Sequence, residues 1–298
     1  MHTVELPASN KIIYVPENLN ECTPDQYMLF CRLIFKYQTN QINLLQFKKA
    51  AVYVLLNMNE SKKERNDYEA AQINANLLLL FDLVDGFFTK DKDGVLQLKD
   101  HFTANPLPKI PTAWLNLIGP KHHFHQATFG EYVIALNIFS TYQATQDINL
   151  LYDLAAVYYR PHLFGLKIPF NENHISRIAQ MLKNSDIGHI YGFYNYFSSF
   201  QNMLGTKKVY WEGKPIDFSI LFTKTDGDQQ PSEINGLGMK GTSYVLAESG
   251  VFGTLKDVNQ TDMWEILFRL YDMKKRNIDH LNEIKRSKNE NSTARKPA

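Results

Sequence analysis

At three points along this chain a Ser or Thr with Gln or Glu three residues later opens a run of apolar residues at helical spacing. The pairs are Thr23/Gln26, Ser61/Glu64 and Thr128/Glu131. In such a capping box the hydroxyl accepts from the third backbone N–H while the longer side chain returns to the cap's own N–H, so the start of a helix is specified locally. Pro24, at the first helical position, strengthens the first of these signals. Together they constrain the chain to a mainly α fold, a multi-helix bundle with at most a short β-hairpin.

The apolar residues then set the faces. The first helix should bury Met28, Cys31, Leu33 and Phe35 or their close neighbours. A second presents Leu44, Phe47, Ala51, Val54, Leu55 and Met58. The helix opening at Ser61 should carry Ala70, Ile73, Leu77, Leu80, Phe81 and Val84 inward and fray at Gly86. From Thr128 a helix shows Tyr132, Ala135, Ile138, Phe139 and Tyr142. A polar turn, Gln143 to Asn149, leads to a partner with Leu151, Leu154, Ala155 and Tyr158, stopped by Pro161, so the two should form a helical hairpin. Asn171 to Lys183 is a further helix, with aromatics crowded between Tyr191 and Phe200. The last long helix runs from about Thr261 to Lys285 with a stripe of Trp264, Leu267, Phe268, Tyr271, Ile278 and Leu281.

Strand signals are sparse. Ile12 to Val15 reads as a short strand, and Val209–Trp211 with Phe218–Phe222 flank Gly213-Lys214-Pro215 as a hairpin. Pro106, Pro108, Pro111 and Pro120 mark a loop that reads as the domain boundary. The expected division is residues 1–105, residues 106–286, and a disordered tail at 287–298 with no apolar side chain of any size to bury. Thr223 to Gly241, polar and rich in Gly, reads as a mobile loop.

Charge excludes some functions. With 32 basic and 31 acidic residues the net charge is +1, too small a field to gather nucleic acid or an anionic membrane by itself. No basic and apolar leader of the secretory kind opens the chain. The most apolar stretch, around Leu77–Leu80, is interrupted by Asp82 and Asp85, far short of the ~20 residues that cross a bilayer. Cys22 and Cys31 would lie about 2.5 turns apart on one helix, too far to bridge, and read as thiols in a reducing cytosol.

Four patterns bear on chemistry. His122, His123 and His125, with His101 upstream, could chelate a metal, but no Cys or carboxylate stands at a suitable spacing, and the bland reading is a solvated loop. Thr89 to Asp100 has the outline of a calcium loop, with Asp91, Asp93 and Gly94 in place. It lacks the first Asp and the terminal Glu, which makes it a solvated turn. Gly236-x-Gly238-x-x-Gly241 matches a dinucleotide spacing, yet no core strand can precede it. Ser249-Gly250 and Gly253 lack the nucleophile-elbow spacing and suit a tight turn between helices. No catalytic residue, cofactor or metal is therefore assigned, and the chain is read as a non-enzyme.

Two longer signatures remain. One is Thr128-Phe129-Gly130-Glu131-Tyr132, running on to Asp153–Pro161 through Tyr158-Tyr159-Arg160. The other is Glu248–Gly253 leading into Trp264–Lys275. Over about a quarter of the chain they resemble the helical tail-assembly or tail-associated structural proteins of phages and prophages. The resemblance implies a non-enzymatic structural or assembly protein, cytoplasmic or virion-associated. Its partners would be other tail or head–tail proteins or further copies of itself; no membrane is expected, and nucleic acid is the less favoured partner. The residues suited to partner binding are Trp264, Phe268 and Tyr271 on the last helix and Tyr158, Tyr159 and Arg160 at the hairpin end, because Trp, Tyr and Arg dominate interface energetics when centrally buried. The competing assignment for the same side chains is monomer core. The alternative function is nucleic-acid association through Lys274, Lys275, Arg276, Lys285, Arg286 and Lys288.

Overall fold

The computed structural model describes residues 1–6, 11–58, 66–90, 96–99, 104–163, 166–211, 213–222 and 238–293. It is mainly α, as the capping signals require. The helices are α1 (Pro24–Gln38), α2 (Leu44–Leu55), α3 (Asp67–Leu79), α4 (Phe81–Asp85), α5 (Phe129–Thr145), α6 (Ile148–Tyr158), α7 (Ile175–Leu182), α8 (Ile187–Thr206), α9 (Met239–Glu248), α10 (Leu255–Gln260) and α11 (Met263–Thr293). Among the described residues the strands form two-stranded antiparallel hairpins. These pair β1 (His2–Leu6) with β2 (Lys11–Val15), β3 (Phe88–Lys90) with β4 (Leu96–Leu98), β5 (Lys109–Pro111) with β6 (Asn116–Ile118), β7 (His162–Leu163) with β8 (Leu166–Lys167), and β9 (Lys208–Trp211) with β10 (Lys214–Asp217).

The chain divides into two compact units. The first holds residues 1–124 and 137–200, the second residues 125–136 and 201–298. The expected boundary at 105/106 falls inside the first unit. The Pro-marked loop there forms the β5–β6 hairpin instead, with Ile110 and Leu117 cross-paired and fully buried. Proline is tolerated at such short, edge-exposed strands because few ladder hydrogen bonds are lost.

Local signals account for most helix starts. Thr23 and Gln26 close the box on α1, and Asn43 with Gln46 closes another on α2. Ser61–Glu64 lies outside the described residues, and α3 begins at Asp67 with the Asn66 side chain accepting from the Glu69 N–H. The long helix expected through Val84 breaks at Leu80 into α3 and α4; of its expected inward residues Leu77 and Val84 are buried. On α1 the buried face is Tyr27, Phe30, Cys31, Ile34 and Phe35, one position round from the expected stripe, leaving Met28 and Leu33 half-buried.

Two further boundaries move. Phe218–Leu221, expected as the second hairpin strand, is a 3-10 turn; β10 is the segment just before it, with Gly213 at φ +76° in the turn. Residues 287–293, expected to be disordered, continue α11 to Thr293. Helix propagation adds one hydrogen bond per residue fixed, so a polar segment extends a helix that packing has already nucleated. The ion pairs Asp272–Arg276 and Lys275–Asp279 support the exposed part at the i,i+4 spacing. No helix among the described residues is long and apolar enough to cross a membrane.

Inside the first unit, α1 and the 187–200 part of α8 meet along glycines. The Tyr27 hydroxyl donates to the Gly192 carbonyl at 2.7 Å, and the Asn195 amide reaches Cys31 Sγ at 3.6 Å. A Cβ added at Gly192 would come within 2.9 Å of Leu107 and Tyr27, and one at Gly188 would overlap the Met28 carbonyl oxygen. Asp186 bonds the Gly188 N–H at 2.8 Å near the start of α8 and pairs with Arg32 at 2.7 Å. Small residues are what let the two backbones approach this closely.

Candidate interaction surfaces

Tyr158, Tyr159 and Arg160 follow from how α6 ends. Tyr159 leaves the helix in an extended conformation, φ −87° and ψ 114°, and the chain turns to bridge β6: the Arg160 N–H donates to the Ile118 carbonyl at 3.1 Å and the Arg160 carbonyl accepts from the Ile118 N–H at 3.0 Å. With this two-bond bridge in place all three side chains are buried. Tyr159 is fully buried, and its hydroxyl donates to the Leu107 carbonyl at 2.5 Å with its ring lying over Gly119. Burial drives its phenol well above the ordinary tyrosine value. Tyr158 is equally buried, and Arg160, 7% exposed, sits over the Phe170 ring at 5.6 Å. The competing assignment holds for these three: they are core of the first unit.

The centre of that core is Phe124. Its ring stacks on Tyr196 at 4.9 Å and meets Tyr158, Phe193, Phe197 and Phe200 at centroid distances of 4.7 to 6.3 Å. The backbone that delivers it is unusual: His123 (φ 53°), Phe124 (φ 56°) and Gln126 (φ 68°) all lie in the left-handed region. Each such residue costs about 1–2 kcal/mol in an L-amino acid. Burying a Phe ring contributes about 3–5 kcal/mol, which outweighs the strain at its own position. The histidine loop is therefore a delivery turn. His122 Nδ1 accepts from the Asn105 N–H at 3.0 Å, and buried Asn105 in turn donates to the Pro120 carbonyl and accepts from Leu107. His101 lies outside the described residues. So do Asp91, Asp93, Gly94 and Asp100 of the calcium-like spacing, and Gly236 of the glycine pattern. Among the described residues no three His, Cys, Asp or Glu side chains gather as metal ligands.

In the second unit the two signatures meet. The Phe129 N–H donates to the Thr261 carbonyl at 2.9 Å and the Met263 N–H to the Ala127 carbonyl at 2.9 Å, with Thr128 bridging Asp262. The Thr128/Glu131 box is closed, and the Glu131 carboxylate is buried at the start of α5, where a negative charge suits the helix dipole. Gly130 is required at the contact: a Cβ there would lie 2.9 Å from the Asn259 carbonyl oxygen. Gly250 (φ +69°) and Gly253 (φ +83°) turn the chain from α9 into α10, the role expected of them.

From this junction α11 carries Trp264, Phe268 and Tyr271. Trp264 is 9% exposed and the other two are half-buried. All three meet Phe218, at 5.9, 5.4 and 5.9 Å. Trp211 packs on Phe268 at 4.6 Å yet stays 51% exposed, and Tyr210 and Phe222 are 73% and 45% exposed. The expected stripe thus forms the floor of an aromatic cluster whose outer member, Trp211, faces solvent.

Outside this cluster the most exposed aromatic among the described residues is a tryptophan. Trp114, 90% exposed, occupies the tip of the β5–β6 hairpin, where Thr112 and Leu115 close the turn. The Ser185 hydroxyl donates to the Pro111 carbonyl at 2.6 Å and steadies its base. A Trp between two prolines in a loop was the available signal.

No protein-family model, no curated protein and no solved structure matches this chain.

Proposed function

We propose that this protein is a non-enzymatic structural or assembly protein of the phage- or prophage-tail kind, binding other tail or head–tail components through its helical second unit. The observation that carries the reading is the aromatic cluster on α11. Trp264, Phe268, Tyr271 and Phe218 form a packed base on which Trp211 lies half exposed, and Tyr210, the next residue on β9, is itself exposed. Rigidly backed, exposed aromatics are the side chains that contribute most when a partner buries them. The basic end of α11 argues less for nucleic acid, because Lys275 and Arg276 are already paired with Asp279 and Asp272.

The test is co-expression with the products of neighbouring genes, followed by size-exclusion chromatography with light scattering. A stable co-complex is expected. It should be lost in a Tyr210→Ala/Trp211→Ala variant whose thermal unfolding is otherwise close to that of the parent. Failure to associate with any neighbour, or a complex indifferent to the double substitution, would overturn the reading. Salt-dependent binding to a single-stranded or duplex oligonucleotide would instead favour the nucleic-acid alternative.

A further inference from the structure

We draw no further inference here: the strongest candidate, the exposed Trp114 at the tip of the β5–β6 hairpin in the first unit, carries nothing because the structure shows no surface, charge pattern or chain segment that identifies what covers it.

Discussion

Replacing Phe124 tests the core of the first unit and its strained turn together. The ring is fully buried among five aromatic neighbours, so Phe124→Ala should cost about 3–5 kcal/mol, with the upper half of that range expected because aromatic pairs add about 0.5–1.5 kcal/mol beyond burial. Alanine leaves the backbone strain in place, since its Cβ still opposes a φ of 56°. Phe124→Gly removes the same ring and also the strain. At ordinary positions glycine is less stable than alanine by about 0.5–1 kcal/mol; here the order should reverse, with the glycine variant more stable by up to about 1 kcal/mol. Urea unfolding followed by circular dichroism gives both differences as midpoint shifts at unchanged slope. Hydrogen exchange of the amides of residues 187–200 confines the readout to the first unit. A loss below about 1 kcal/mol for Phe124→Ala, or an alanine variant clearly more stable than the glycine one, would refute the argument.

Three further outcomes follow from the same geometry. Gly188→Ala forces a methyl into the Met28 carbonyl oxygen, so the α1–α8 seam must open; a loss of about 1–3 kcal/mol is expected in thermal unfolding, against a gain of up to about 1 kcal/mol for Gly205→Ala, which has open space within the helix. Burial pushes the Cys22 and Cys31 thiols from 9.0 up to about 12, so a thiol reagent at about pH 8 should label Cys31 only after denaturation, and rapid native labelling of Cys31 would contradict its placement. Burial holds the His189 imidazole below its ordinary 6.5, with Asp186 opposing. The folded state therefore binds that proton less readily than the unfolded chain. The His189 contribution is complete above pH 6.5 and is lost as pH falls below it. A urea midpoint that drops between about pH 7.5 and about pH 5.5 in the parent should drop less in His189→Gln.

Helix starts were the part most legible in sequence, and the reason is local. A capping box needs only residues three apart, so Thr23/Gln26 and Thr128/Glu131 appear in the structure as read. Glycine at Gly250 and Gly253 was legible for the same reason, because a positive φ restricts the residue type. Faces were read less well. A helical stripe identifies the buried side to within one position, and α1 settled on Tyr27 and Phe30 because Gly192 of α8, more than 150 residues away, leaves room for Tyr27 while Phe47, Phe87 and Phe88 surround Phe30.

The candidate site divides along the same line. That Tyr158, Tyr159 and Trp264 would be buried somewhere follows from residue type. Whether the burial is internal or at an interface depends on contacts that spacing does not encode. The Ile118–Arg160 bridge turns the end of α6 inward, and the joining of residues 127–129 to 261–263 brings two distant signatures together at one pair of helix starts. Phe124 was unreadable for a sharper reason. No pattern in His122-His123-Phe124-His125-Gln126 announces three left-handed backbone residues, since their strain is tolerated only once five rings from remote segments surround the phenylalanine. By itself the sequence determined a mainly α chain with particular helix starts and turns, because hydrogen-bond caps and glycine conformations act over a few residues. The tertiary structure alone decided which aromatics became core and which stayed at the surface, because burial is a property of packing between segments far apart in the chain.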